Sequence, residues 1–128
     1  MQKALVIEDN EDNMNLITFI LHKSGYSTVW AENGKKGVEL AVKEKPDFII
    51  LDIQLPDISG FEVLPLIRRA EGEAKVPIIA MTSYAMSGDR EKLLSAGCTG
   101  YIEKPIDPET VMTEIRKIIG EHHEDIDR

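Results

Sequence analysis

A single cysteine, Cys98, leaves no partner for an internal disulfide, so a buried core rather than a covalent staple must hold this chain together. No metal-type spacing of other ligands surrounds Cys98. It is read as a small residue filling space behind Gly97, and the lone thiol points to a reducing compartment. Long apolar runs are absent too. Nothing approaches the roughly 20 residues of a membrane span, and Met1-Gln2-Lys3 leads straight into a strand-like run instead of a leader peptide. The cytoplasm is therefore the expected location. Basic residues are in deficit: 15 Lys and Arg against 23 Asp and Glu leave a net charge of −8, which disfavours nucleic acid and anionic membrane as direct partners.

What remains is one domain's worth of ordinary composition, 128 residues of which 42% are hydrophobic and 30% charged, enough for a core without disulfides. A folded unit over residues 1–120 and a polar tail over 121–128 are expected. Lys3 to Ile7 is a short continuous apolar run of the kind buried on both faces, and Leu16, Ile17, Ile20 and Leu21 follow at helical spacing after a turn-forming stretch from Asn10 to Asn13. Gly25 closes that helix. Ser27 to Ala31 is a second strand, Asn33-Gly34 punctuates, and Val38, Ala41 and Val42 mark a helix that ends before Pro46. Phe48 to Asp52 is a third strand. A loop closed by Gly60 precedes a helix marked by Phe61, Leu64 and Ile67, in which Pro65 predicts a kink. Val76 to Met81 is a fourth strand with Pro77 tolerable only near its start. Ser87 caps a helix reaching Ala96, and Gly100 to Glu103 is a brief fifth strand. Asp107-Pro108 reads as cap and first helical residue, and the stripe Val111, Ile115, Ile118, Ile119 ends at Gly120. His22 is read as a surface residue, and His122-His123 is given no role.

Five alternations of strand and helix with short connections call for parallel strands and right-handed crossovers, hence a three-layer α/β sandwich of five strands and five helices. If the strand order is 2-1-3-4-5, as in flavodoxin-like folds, a crevice lies between strands one and three. Two of the apolar runs end in acids there, Glu8-Asp9 and Asp52. Two carboxylates about 5 Å apart at an effective dielectric near 20 repel by ~3 kcal/mol, so three together invite a cation or a proton. Magnesium suits such a place, because it takes hard oxygen ligands and typically shares one or two carboxylates with a phosphate. An aspartate can attack phosphorus when charge is neutralised and the oxygens are held in line. Lys104 and Thr82, just past strands five and four, supply an ammonium and a hydroxyl for phosphoryl oxygens.

Glu8-Asp9-Asn10, the phrase from Leu51 to Gly60, Met81-Thr82-Ser83 and Lys104-Pro105 occur in this order, and together they closely resemble the receiver domain of two-component response regulators over about residues 3 to 119. The resemblance implies that Asp52 is the phosphoacceptor, supplied by a histidine kinase or a histidine phosphotransfer protein. Asp9, Asp52 and the backbone carbonyl of Gln54 would hold Mg2+, with Glu8 acting through water. Lys104 would pair with the phosphoryl group across a cis bond to Pro105, Thr82 and Tyr101 would form the switch pair, and Gln54 and Tyr84 would tune loss of the phosphoryl group. The chain ends shortly after the last helix, so it resembles the stand-alone receivers of chemotaxis and cell-cycle phosphorelays. These bind a downstream protein through the face of helix four, strand five and helix five, and some form homodimers through it. They are not enzymes beyond their own phosphorylation and dephosphorylation.

Three other readings compete. A haloacid-dehalogenase-like phosphatase needs a second aspartate two residues after the nucleophile, where this chain has Gln54. A flavodoxin-like cofactor binder cradles phosphate in a loop that the acids from Glu8 to Asp12 would repel. A pseudo-receiver would scaffold partners without phosphorylation, and the complete set Asp9, Asp52, Thr82 and Lys104 argues against it.

Overall fold

The computed structural model describes residues 2–72, 75–83 and 87–127, with the side chains of 87–89 and 121–127 outside the description. Its elements are β1 (Lys3–Ile7), α1 (Glu11–Lys23), β2 (Ser27–Ala31), α2 (Gly34–Glu44), β3 (Phe48–Asp52), α3 (Gly60–Glu71), β4 (Ile78–Thr82), α4 (Ser87–Ala96), β5 (Gly100–Glu103) and α5 (Val111–Asp127). The strands form one sheet in the order β2-β1-β3-β4-β5, every neighbouring pair parallel. This is the expected doubly wound sandwich.

Period-two alternation along each strand feeds two separate cores. Ala4 and Val6 of β1 and Phe48 and Ile50 of β3 face Met14, Ile17 and Leu21 of α1 and Val111 and Ile115 of α5. Their neighbours Leu5, Ile7, Ile49 and Leu51 face the other way, onto Val63, Leu64 and Ile67 of α3, Leu93 of α4 and the half-buried Val38 and Ala41 of α2. Both layers are buried, and each fully buried Leu or Ile contributes about 1.5–3 kcal/mol relative to exposure. Gly37 shows how tight the fit is: a Cβ there would stand 2.6 Å from Cδ1 of Ile7, so α2 reaches β1 only because it carries a hydrogen at that point.

Several element edges differ from the pattern reading. Asn10 to Asn13 is no free turn: Asn10 is the N-cap of α1, its Oδ1 accepting from the Asn13 N–H at 2.9 Å, and the helix starts at Glu11. Gly60 does not close the preceding loop but opens α3, with Ser59 as cap. The β4 strand begins after Pro77, whose carbonyl accepts from Ile49 N–H, which is how a residue lacking a donor fits beside a central strand. Pro65 lies on the exposed side of α3, which continues through it.

The last helix is shifted at both ends. Asp107 caps a turn over 108–110, with Oδ1 accepting from Glu109 N–H at 2.9 Å, and α5 begins at Val111 rather than Pro108. Gly120 does not stop it. The backbone stays helical to Asp127, because a glycine in a helix costs only about 1 kcal/mol and imposes no turn by itself. Residues 121–127, expected as a frayed tail, are helical backbone. Val42, placed on an apolar stripe by the sequence, is exposed, whereas Cys98 is buried as expected. Among the described residues no helix is long and apolar enough to cross a membrane.

Candidate acidic site at the carboxyl end of the sheet

Parallel register carries the ends of β1, β3, β4 and β5 to one edge. The pairings Ile7↔Leu51, Asp52↔Met81 and Thr82↔Glu103 set Glu8, Asp52, Thr82 and Lys104 side by side. Chain direction does the rest, since β1 and β3 are adjacent but their connections leave to opposite layers, opening a crevice between them.

One carboxylate oxygen from each of Glu8, Asp9 and Asp52 lies within 4.8 Å of the others. Glu8 and Asp52 are buried and Asp9 is exposed at the rim. The Lys104 ammonium enters from the far side. Its Nζ donates to Asp52 Oδ1 at 2.9 Å and stands 3.7 Å from Glu8 Oε1. The Lys104 backbone is tied to the β4 tip by its N–H, which donates to the Thr82 carbonyl at 2.8 Å, and the Lys104–Pro105 peptide is cis. Asp52 Oδ1 also accepts from the Gln54 N–H at 3.1 Å.

These charges are unequally placed. Burial above all, then a hydrogen bond and like charge from Asp52, push the Glu8 carboxyl from its ordinary 4.5 up to about 7, against the opposing pull of Lys104 and the Asn10 N–H. At neutral pH Glu8 is thus about half protonated. Hard oxygen donors converging at this spacing fit a small divalent cation, which would take the place of that proton.

The surrounding loops are braced. Gly60 sits where a Cβ would lie 2.6 Å from the Ile53 Cα and 3.0 Å from the Asp52 carbonyl oxygen, so α3 begins against the strand end bearing Asp52. Asp57, from the same β3–α3 loop, accepts from the N–H groups of Gly34 and Lys35 at 2.8 and 2.9 Å. Desolvation works to raise its carboxyl, but those donors and the N–H groups of Ile58 and Asp57 prevail and lower it from 3.8 to about 2. The loop is thereby clamped to the start of α2.

The expected site residues Glu8, Asp9, Asp52, Gln54 and Lys104 are brought together, and Thr82 is buried at the adjoining strand end. Tyr101 is not in the pocket. It is half-buried one strand away, packed on the cluster shared with α3 and α4, with the Arg90 guanidinium 5.8 Å from its ring centroid. Tyr84 lies outside the described residues. Sequence reasoning missed Arg90, Asp57 and Trp30, whose indole Nε1 donates to the Glu8 backbone carbonyl at 2.6 Å. The "x-Pro-Asp" turn signal around Asp57 was the only visible cue to any of the three. A groove of about 510 Å3 lined by Asn13, Leu16, Ser83, Lys104, Pro105 and Ile106 opens on the Lys104 side. A second, of about 370 Å3, lies between α2 and α3 and touches none of these residues.

Fold and site define a doubly wound α/β protein with an acidic, lysine-bridged pocket at its switch point. Residues 4–116 match the response regulator receiver domain, and the chain belongs to that family, the receivers of two-component signalling. It is 38% identical over 120 residues to the polar-differentiation response regulator DivK of Brucella anthropi, covering 94% of this chain and 98% of the relative. A CheY-like receiver domain protein from Methanospirillum hungatei superposes with a TM-score of 0.87 at 25% identity, covering 98% of each chain. The receiver domain of the sensor histidine kinase PA1611 from Pseudomonas aeruginosa, at 34% identity and a TM-score of 0.83 over 93% of this chain and 98% of that one, was solved with magnesium coordinated in its active site cleft.

Proposed function

We propose that Asp52 accepts a phosphoryl group from the phosphohistidine of a histidine kinase or phosphotransfer protein, and that the phosphorylated chain then signals by binding a downstream protein. The observation that carries this reading is the 2.9 Å contact between Lys104 Nζ and Asp52 Oδ1 inside a cluster of converging carboxylates. An Asp whose only task was to end a strand would need neither.

In the proposed transfer an Asp52 carboxylate oxygen attacks phosphorus in line. The N–P bond breaks, its electron pair stays on the imidazole nitrogen, and an acyl phosphate forms on Asp52. Lys104 follows the charge from the carboxylate to a phosphoryl oxygen, and the Thr82 hydroxyl donates to another. Asp9, Asp52 and the Gln54 carbonyl would hold magnesium, with Glu8 acting through water, and the ion would supply neutralisation of charge on the transferring group. The 510 Å3 groove beside Lys104 leaves room for the donor. Thr82 and Tyr101 form the switch pair, and the face of α4, β5 and α5 carries the output. The chain acts in the cytoplasm and performs no chemistry beyond its own phosphorylation and dephosphorylation.

Support for a receiver working without an attached output module comes from its relatives, which it covers over 98% of their length. Incubation with a phosphorylated phosphotransfer protein and Mg2+ tests the reading. One phosphoryl group should pass to the chain, and chelation of the metal should stop it. No transfer from any phosphohistidine donor, with the metal bound, would refute it.

A further inference from the structure

We infer that Trp30 is a positioning residue for the acidic pocket: its indole N–H holds the Glu8 carbonyl and thereby aims Asp9 at a bound cation. This rests on the reading of Glu8, Asp9 and Asp52 as a cation site.

Both backbone groups of Glu8 are held by β2. The Glu8 N–H donates to the Ala31 carbonyl at 2.9 Å as the last rung beyond the β1–β2 ladder, and its own carbonyl accepts from Trp30 Nε1 at 2.6 Å. Beyond Ala31 the chain bends at Glu32 and Asn33 into α2, so the strand itself turns away and a side chain supplies the donor. A peptide unit is planar. Fixing the carbonyl oxygen of residue 8 therefore fixes the plane from which the Asp9 Cα, and hence its exposed carboxylate, departs. On the other side of Asp9, Asn10 is fixed as the cap of α1, and its N–H lies 3.5 Å from Glu8 Oε2. Asp9 is thus strung between two anchored residues while making its approach to the pocket from solvent.

Core packing does not account for this tryptophan. It is 40% exposed on the edge strand β2, a place with room for any β-former. What a smaller or purely apolar ring would lack is the N–H. Without it the Glu8 carbonyl turns to water, the corner gains freedom, and that freedom must be lost again when a cation draws Asp9 in. Groups that orient the ligands of a metal typically change affinity by about 10–100-fold when removed.

Calorimetric titration of the metal-free full chain with Mg2+ tests the inference, with urea unfolding run in parallel. Trp30→Phe should bind Mg2+ about tenfold more weakly. In the wild type the emission of Trp30, the sole tryptophan, should change along the calorimetric binding curve, and Asp9→Asn should remove both signals. Unchanged Mg2+ affinity in folded Trp30→Phe would overturn the role of Trp30 and leave the pocket standing. If that variant fails to fold, wild-type emission that ignores calorimetrically proven binding would overturn it equally. A wild type that binds no Mg2+ would sink the inference together with the pocket reading.

Discussion

The Lys104 ammonium stands between two buried carboxylates, 2.9 Å from Asp52 and 3.7 Å from Glu8. Its removal leaves like charges facing each other away from water. Lys104→Met should cost about 2–3 kcal/mol of stability at pH 8 and less at pH 5, where Glu8 takes up a proton in compensation. Urea unfolding at the two pH values checks the difference; equal losses would mean that the lysine only packs.

The acid pocket also sets a pH dependence without metal. The Glu8 carboxyl rises from 4.5 to about 7 on folding, so between those values the native state holds the extra proton. Its stabilising contribution is complete below pH 4.5 and is lost as pH rises through about 7, a fall of up to about 3 kcal/mol. Glu8→Gln should flatten that slope. Asp57 acts with the opposite sign, since its carboxyl falls from 3.8 to about 2: its contribution is complete above pH 3.8 and is lost as pH drops through about 2. Urea midpoints from pH 2 to 8 in chelator report both.

Gly60→Ala should lower stability by about 2 kcal/mol, because the new methyl meets the Ile53 Cα and the Asp52 carbonyl, which are backbone and cannot rotate aside. Metal affinity should fall with it, as Asp52 at the end of β3 and Gln54 in the following loop both lie beside the displaced backbone. Thermal melts and Mg2+ titration measure the two effects. Gly72→Ala offers a contrast, since nothing lies within 4 Å of its added Cβ, although φ of +69° strains any side chain there.

The inner strands β1, β3 and β4 were legible because each is a short apolar run buried on both faces, the edge strands β2 and β5 are half-buried, and β1, β2, β3 and β5 have the boundaries that the sequence pattern predicts. The pocket was legible for the same reason: acids abutting such runs have nowhere to go but the sheet's carboxyl edge. Helix ends were harder. Asn10 reads equally as turn former and cap, and Gly120 as stop or interior, until packing decides. Trp30 and Asp57 act through backbone groups of distant residues, Glu8 and Gly34, and a backbone carbonyl or N–H leaves no mark in the letters of a sequence.

Arg90 lies over the Tyr101 ring at 5.8 Å, a cation–π contact worth about 0.5–1 kcal/mol at an exposed site. On the proposed switch this holds the ring in its half-buried position while Asp52 is unphosphorylated. Arg90→Ala should therefore shift the ring toward its alternative position by about two- to fivefold. A fluorine label on Tyr101 reads the two populations by NMR; identical spectra with and without Arg90 would remove it from the switch.

The identity of the acceptor atom is the most direct test. After incubation with a small phosphodonor and Mg2+, borohydride reduction converts an aspartyl phosphate to homoserine, which peptide mass mapping locates. Homoserine is expected at position 52 alone, and none when Asp52→Asn is treated alike. Homoserine at Asp9, or a phosphoryl group retained by Asp52→Asn, would contradict Asp52 as the acceptor.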